Sequence, residues 1–152
     1  MFARVTLLLF VGLLGFDLGA GTYELRNVLP LERAGLAQGQ SPGVVATAGL
    51  RFWIFVTPML AVLAALALLG ARSAPAPQHG WRIASAGGEL LIIATTFLYF
   101  IPTIRHIVDP SVTRYPPAVA ATRLRQWIAL NGIRVAATTA TFFAGLVALT
   151  RS

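Results

Sequence analysis

"QWIALNGIRVAATTATFFAGLVAL", Gln126 to Leu149, is apolar over most of its length yet carries Asn131 and Arg134 near its start. A bilayer core of about 30 Å needs roughly 20 helical residues, so the stretch reads as a membrane span with an amide and a guanidinium set into it. Three more stretches have the same character: about Val5 to Val28, Phe52 to Leu69 and Ile83 to Ile101. Backbone groups in lipid must pair within their own segment, which makes these spans helices. The expected fold is all-α, a single integral membrane domain over 1–152 with spans at about 5–28, 52–69, 83–101 and 127–149. The short Pro-rich connection "GARSAPAPQHGWR" makes the middle two antiparallel, and the whole an antiparallel four-helix bundle.

Composition agrees. Of 152 residues, 57% are hydrophobic and 11% charged, and the mean hydropathy is +0.75; ordinary globular chains are about 25% charged. No cysteine is present, which removes disulfides, thiolate nucleophiles and thiolate metal sites. The net charge of +7 rests on twelve arginines and no lysine, scattered among apolar spans. Nucleic-acid binding would need them gathered on one solvated face. The partner expected instead is the lipid bilayer, with basic loops and termini touching anionic lipid, and the Ala/Arg usage suits a bacterial inner (cytoplasmic) membrane. The opening "MFARVTLLLFVGLLGFDLGAGTYE" could serve as a cleaved leader, but Leu18 is a poor residue before a cleavage site after Ala20, and a retained span is expected.

With Arg51, Arg105 and Arg134, inside or bordering spans, set aside, the arginines divide four (Arg4, Arg72, Arg82, Arg151) to five (Arg26, Arg33, Arg114, Arg123, Arg125) between the two faces, too even for the positive-inside rule to orient the chain. Small residues give the packing surfaces: Gly12, Gly15 and Gly19 in the first span, "ASAGGE" in the third, Ala137, Ala140 and Ala144 in the fourth.

The polar residues fall on stripes. Asp17 and Glu24 are two helical turns apart; Trp127, Asn131, Arg134 and Thr138 share one face, as do Glu89, Thr96, Tyr99, Thr103 and His106 on a straight helix. Antiparallel threading brings Tyr23, Glu24, Arg51, Trp53, Tyr99, His106, Asn131 and Arg134 within about two turns of one membrane face, with Asp17 and Glu89 deeper. A lone charge in hydrocarbon costs about 2.5 to 3.5 kcal/mol, so such groups turn inward and pair. Arg134 is expected to pair with Glu24 or Asp17 beside Asn131. Taken singly, the arginines read as helix-ordering or snorkelling groups and Trp53, Trp81 and Trp127 as interfacial anchors. Together they read as a small-molecule pocket, open toward the face with the long loops. Metal-ligand spacing is missing: no H-x-x-H or E-x-x-H occurs, and only His106 with Glu24 and Asp17 leaves iron or manganese chemically open.

The pieces "GAGTYELRNVLP", "FW" with Pro58 five residues after Trp53, "TTFLYFIPT" and "RQWIALNGIRVAATTA" touch all four spans. In them the chain resembles the small four-helix membrane proteins of the anthrone oxygenase-like family, DUF1772. The resemblance implies a cofactor-independent oxidoreductase of the monooxygenase type, oxidising lipophilic phenolic or polycyclic substrates. Carried over by position, Glu24, Tyr99, Trp127, Asn131 and Arg134 would line the site. Joined with the polar layer read from the residues themselves, the catalytic candidates are Glu24, Asp17, Asn131 and Arg134, and Tyr23, Trp53, Thr96, Tyr99, His106 and Trp127 would bind the ring. The competing expectation is a noncatalytic scaffold, as a homo-oligomer or a small subunit of a larger membrane complex. A transporter is disfavoured by the lack of inverted repeats and broken helices.

Overall fold

The computed structural model describes residues 2–38, 50–109 and 115–151. Arg114, most of the first long connection and the Arg51 side chain lie outside the described residues. Among those described there is helix and no strand: α1 (Phe2–Tyr23), α2 (Leu29–Ala37), α3 (Leu50–Ala71), α4 (Ala76–Thr95), α5 (Ile101–Val108) and α6 (Pro117–Thr150). Two five-residue π turns, Glu24–Val28 and Thr96–Phe100, carry α1 into α2 and α4 into α5. The result is four long helical rods, and Phe2–Gly35, Phe52–Ala71, Ala76–Ile107 and Pro117–Thr150 are each long and apolar enough to cross a membrane.

The π turns have a visible cause. In each, the next residue's N–H reaches back five positions, Leu29 to the Glu24 carbonyl and Ile101 to the Thr96 carbonyl. The residue after that is proline both times, Pro30 and Pro102. Proline has no N–H and its ring crowds the carbonyl four positions back; one extra residue in the turn carries the rod past that clash. It also swings everything beyond it by about 100°. α3 carries its own interruption at Pro58, and α6 begins with Pro117 at its first turn, where a missing N–H costs nothing.

α1, α3, α4 and α6 pack in a ring in that order, so that α1 stands opposite α4 and α3 opposite α6. Leu7, Phe10, Leu14, Leu60, Ala64 and Ala86 fill one end of the ring. At the other, α2 and α5 flank the first turns of α6, and Leu29, Ile107, Leu124 and Trp127 form a second apolar cluster. The start of α4 closes its neighbours' ends. Gln78 Nε2 donates to the Ala148 carbonyl (3.0 Å), His79 Nδ1 to that of Ala71 (2.7 Å) and Arg82 Nη1 to that of Gly70 (3.4 Å), satisfying carbonyls that a helix end leaves open. Arg82 is therefore buried, not one of the surface charges that the sequence count makes it.

Only some of the glycines that the spacing suggests are used for close approach: a Cβ on Gly15 would meet the Phe142 ring at 3.0 Å. Gly12 and Gly19 have nothing within 4 Å of where a Cβ would stand, whereas a Cβ on Gly88 would meet Thr141 Cγ2 at 2.7 Å. One on Gly145 would meet Val11 Cγ2 at 2.7 Å and Ser85 Oγ at 2.9 Å. The seam that needs small residues is thus α4 against α6, with α1 pressed on it. Gly145→Val is expected to destabilise the fold by about 1–3 kcal/mol through overpacking, and Gly12→Val to leave it unchanged; thermal melting in detergent measures both, and equal melting temperatures would contradict this packing.

Candidate functional site

At the level where both π turns and Pro58 loosen their helices, the ring encloses a cavity of about 210 Å³. π turns inside α-helical rods recur at functional sites, and both of these contribute lining here: Glu24 from the first, Thr96, Phe97 and Phe100 from the second. Asp17, Trp53, Thr57, Glu89, Trp127, Asn131 and Arg134 complete the polar and aromatic wall. Its exposed lining is Ile54 (57%) with Pro58 on α3 and Phe97 (53%) on the second π turn. These exposed side chains place an opening on the flank of the bundle, between α3 and the second π turn. Close backbone packing of α3 runs along α4 and does not continue onto the π turn.

Arg134 does not make the ion pair that the stripes suggest. Its Nε donates to Asn131 Oδ1 at 2.7 Å, and its guanidinium stands over the Trp53 ring (5.6 Å) and the Phe100 ring (5.8 Å), cation–π contacts on two sides. A Cβ on Gly21 would lie 3.8 Å from Nη2. Gly21 sits between Asp17 and Glu24 on their stripe, so the guanidinium runs past α1 between the two carboxylates. It lines the same cavity as Asp17, Glu24 and Glu89, yet among the described residues none of the three is bonded to it. The ring contacts hold the cation in the cavity wall.

The hydrogen bond from Arg134 also fixes Asn131. A guanidinium only donates, so the amide oxygen must face it and Nδ2 must point elsewhere. That nitrogen has no partner although Asn131 is 1% exposed. A buried donor left unpaired costs about 1–3 kcal/mol; this one borders the cavity. Around it, Trp53 Nε1 donates to Glu24 Oε2 at 3.3 Å and Trp127 Nε1 to the Phe100 carbonyl at 3.1 Å, locking both indoles. Deeper, Thr141 Oγ1 donates to Glu89 Oε2 at 3.2 Å.

Seven of the ten residues singled out from sequence line this cavity: Asp17, Glu24, Trp53, Thr96, Trp127, Asn131 and Arg134. Tyr23 does not; one position before Glu24, it is turned about 100° away and is 64% exposed. Tyr99 and His106 do not either. They line a separate cavity of about 110 Å³ with Thr103, Tyr115, Arg123 and Gln126, because the π turn rotates the helix beyond Thr96 off the Glu89 stripe. His106 is therefore not gathered with Glu24 and Asp17, and among the described residues no group of three or more His, Asp or Glu side chains could hold a metal ion. Trp127, read as an interfacial anchor, is buried in the wall. Glu89, Thr57 and Phe97 join the site without having been assigned to it.

Fold and site together define a class: a four-helix bundle of span-length apolar helices around a charged, aromatic internal cavity. No protein-family model, curated protein or solved structure matches the chain.

Proposed function

We propose that the chain is an integral membrane protein, an antiparallel four-helix bundle in a bacterial inner membrane, that binds a flat lipophilic phenol in this cavity and oxidises it with dioxygen. The exposed surface supports insertion: Leu8, Leu9, Phe16, Phe55, Met59, Val62, Leu91, Leu98, Ile133 and Phe143 face outward while Asp17, Glu89, Asn131, Thr138 and Thr141 are buried. Soluble monomers rarely expose so much contiguous apolar surface, and ionisable groups inside a span turn to the bundle interior. At 1.5 Å per residue the 34-residue α6 is about 51 Å long, so its first turns project beyond the hydrocarbon.

The observation that carries the ligand class is the unpartnered Asn131 Nδ2 beside the Arg134 guanidinium. Donors from both residues line the one cavity, and such donors suit an oxygen that is negative or becomes so. A cavity of about 150 Å³ holds a benzene ring; this larger one, walled by Trp53, Phe100 and Trp127, suits fused rings, and its flank opening lets a lipid-soluble molecule reach it from the bilayer. Glu24 or Asp17 takes the phenol proton, leaving an electron-rich ring carbon to meet dioxygen. For a ring methylene the balance is CH₂ plus O₂ giving C=O plus H₂O: two C–H bonds break, one oxygen atom enters the carbonyl, and the other leaves as water. No other reductant or oxidant is required.

The test is dioxygen uptake by the protein in lipid nanodiscs supplied with anthrone, the substrate class that the family resemblance implies. One dioxygen consumed per quinone formed, above the rate of empty nanodiscs, is expected. No uptake above that background would leave the scaffold reading in its place.

A further inference from the structure

The second half of the chain repeats the first. Shifted by 72 positions, Asp17 becomes Glu89, the π turn Glu24–Val28 becomes Thr96–Phe100, and Pro30 becomes Pro102. Shifted by 74, "LRFWI" (Leu50 to Ile54) becomes "LRQWI" (Leu124 to Ile128) and Thr57 becomes Asn131. π-helix makes up well under about 1% of residues, so two such turns in the same register are not expected by chance. Burial follows the same register at most of the buried positions: Thr6 with Gln78, Phe10 with Arg82, Leu14 with Ala86, Ala64 with Thr138, Ala67 with Thr141 and Ala71 with Gly145 are buried at both, whereas Leu7 and Val11 are buried opposite the exposed His79 and Ile83. The indoles follow the register too, each donating to the π turn of its own half, Trp53 to Glu24 and Trp127 to Phe100.

The equivalent helices are the ones that face each other, α1 across from α4 and α3 across from α6. The cavity consequently sits between two half-sites: Asp17, Glu24, Trp53 and Thr57 in one, Glu89, Thr96, Trp127 and Asn131 in the other. The halves have diverged in charge, Glu24 against Thr96 and Leu60 against Arg134. They keep one shared feature. Thr57 is 9% exposed and lines the cavity, and among the described residues its hydroxyl makes no hydrogen bond, whereas Thr22, Thr96 and Thr139 return theirs to a backbone carbonyl four residues back. A hydroxyl and an amide nitrogen without partners thus stand at equivalent positions on opposite walls.

We infer that this duplicated site takes a flat aromatic ligand carrying an oxygen at each of two opposite edges, one received by Asn131 with Arg134 and the other by Thr57. The inference rests on the phenol reading above and narrows it. Its test is calorimetric binding of 2-naphthol and of 2,6-dihydroxynaphthalene to the full chain in nanodiscs. The diol is expected to bind about tenfold more tightly, the worth of one added hydrogen bond. Thr57→Val should erase that preference by weakening the diol alone, and Thr57→Ser, which keeps the hydroxyl, should retain it. Equal affinities, or a preference that survives Thr57→Val, would overturn the two-edge site and leave phenol binding standing. If neither compound binds, the phenol reading falls and this inference with it.

Discussion

Arg134→Leu is expected to lower phenol oxidation by about 10²- to 10³-fold, the loss seen when one preorganised donor to a developing oxyanion is removed. The size follows from geometry. Arg134 is the cation that shares the cavity with all three carboxylates, and its Nε bond orients Asn131, so one substitution removes the positive charge and frees the amide. The bundle should survive, because the equivalent position in the first half is Leu60, buried in the core. Helical circular dichroism and melting in detergent would be nearly unchanged while turnover falls. Turnover within threefold of the parent would remove Arg134 from the chemistry.

Glu24→Gln should cost turnover about 10²- to 10⁴-fold, the range for loss of a positioned general base. Glutamine keeps an oxygen able to accept from Trp53 Nε1, the bond that now measures 3.3 Å, so the indole stays in place and ligand affinity should change little. Asp17→Asn separates the two candidate bases: if it stops turnover and Glu24→Gln does not, the deeper carboxylate takes the proton. A drop in affinity equal to the drop in turnover would make Glu24 a binding group and not a base.

Much of this site was legible before any coordinates. The apolar runs placed all four long helices, and the stripes on α1 and α6 brought Asp17, Glu24, Asn131 and Arg134 to one cavity because those segments precede any break in helical phase. The stripe on the third rod failed past Thr96 for a physical reason: a five-residue turn ahead of Pro102 shifts the phase, sending Tyr99 and His106 to another cavity. A proline two residues beyond Phe100 was the available signal, and its twin at Pro30 doubles it. Salt-bridge reasoning went astray at Arg134 because two aromatic faces and an amide oxygen hold the guanidinium where a carboxylate was expected to. The flank opening came from side-chain exposure at Ile54 and Phe97, which periodicity does not encode.

The repeat was also there to be seen, in "LRFWI" and "LRQWI" and in acid-to-proline spacing that recurs from Asp17–Pro30 to Glu89–Pro102. It is a direct repeat and not the inverted kind sought as a transporter signature, and the helices are widened at π turns without being unwound. Duplication gives the cavity its paired indoles and paired deep carboxylates; divergence gives it one Glu24 and one Arg134, the opposite charges that deprotonation and anion stabilisation need.

The most direct measurement of the central claim is anomalous diffraction from the protein crystallised in lipid with 6-bromo-2-naphthol. The account predicts one bromine peak inside the cavity between Trp53 and Trp127, with the naphthol oxygen within hydrogen-bonding distance of Asn131 Nδ2 and Arg134. Bromine found only among lipids on the outer surface, with Asn131 and Arg134 closed over by neighbouring side chains, would contradict it.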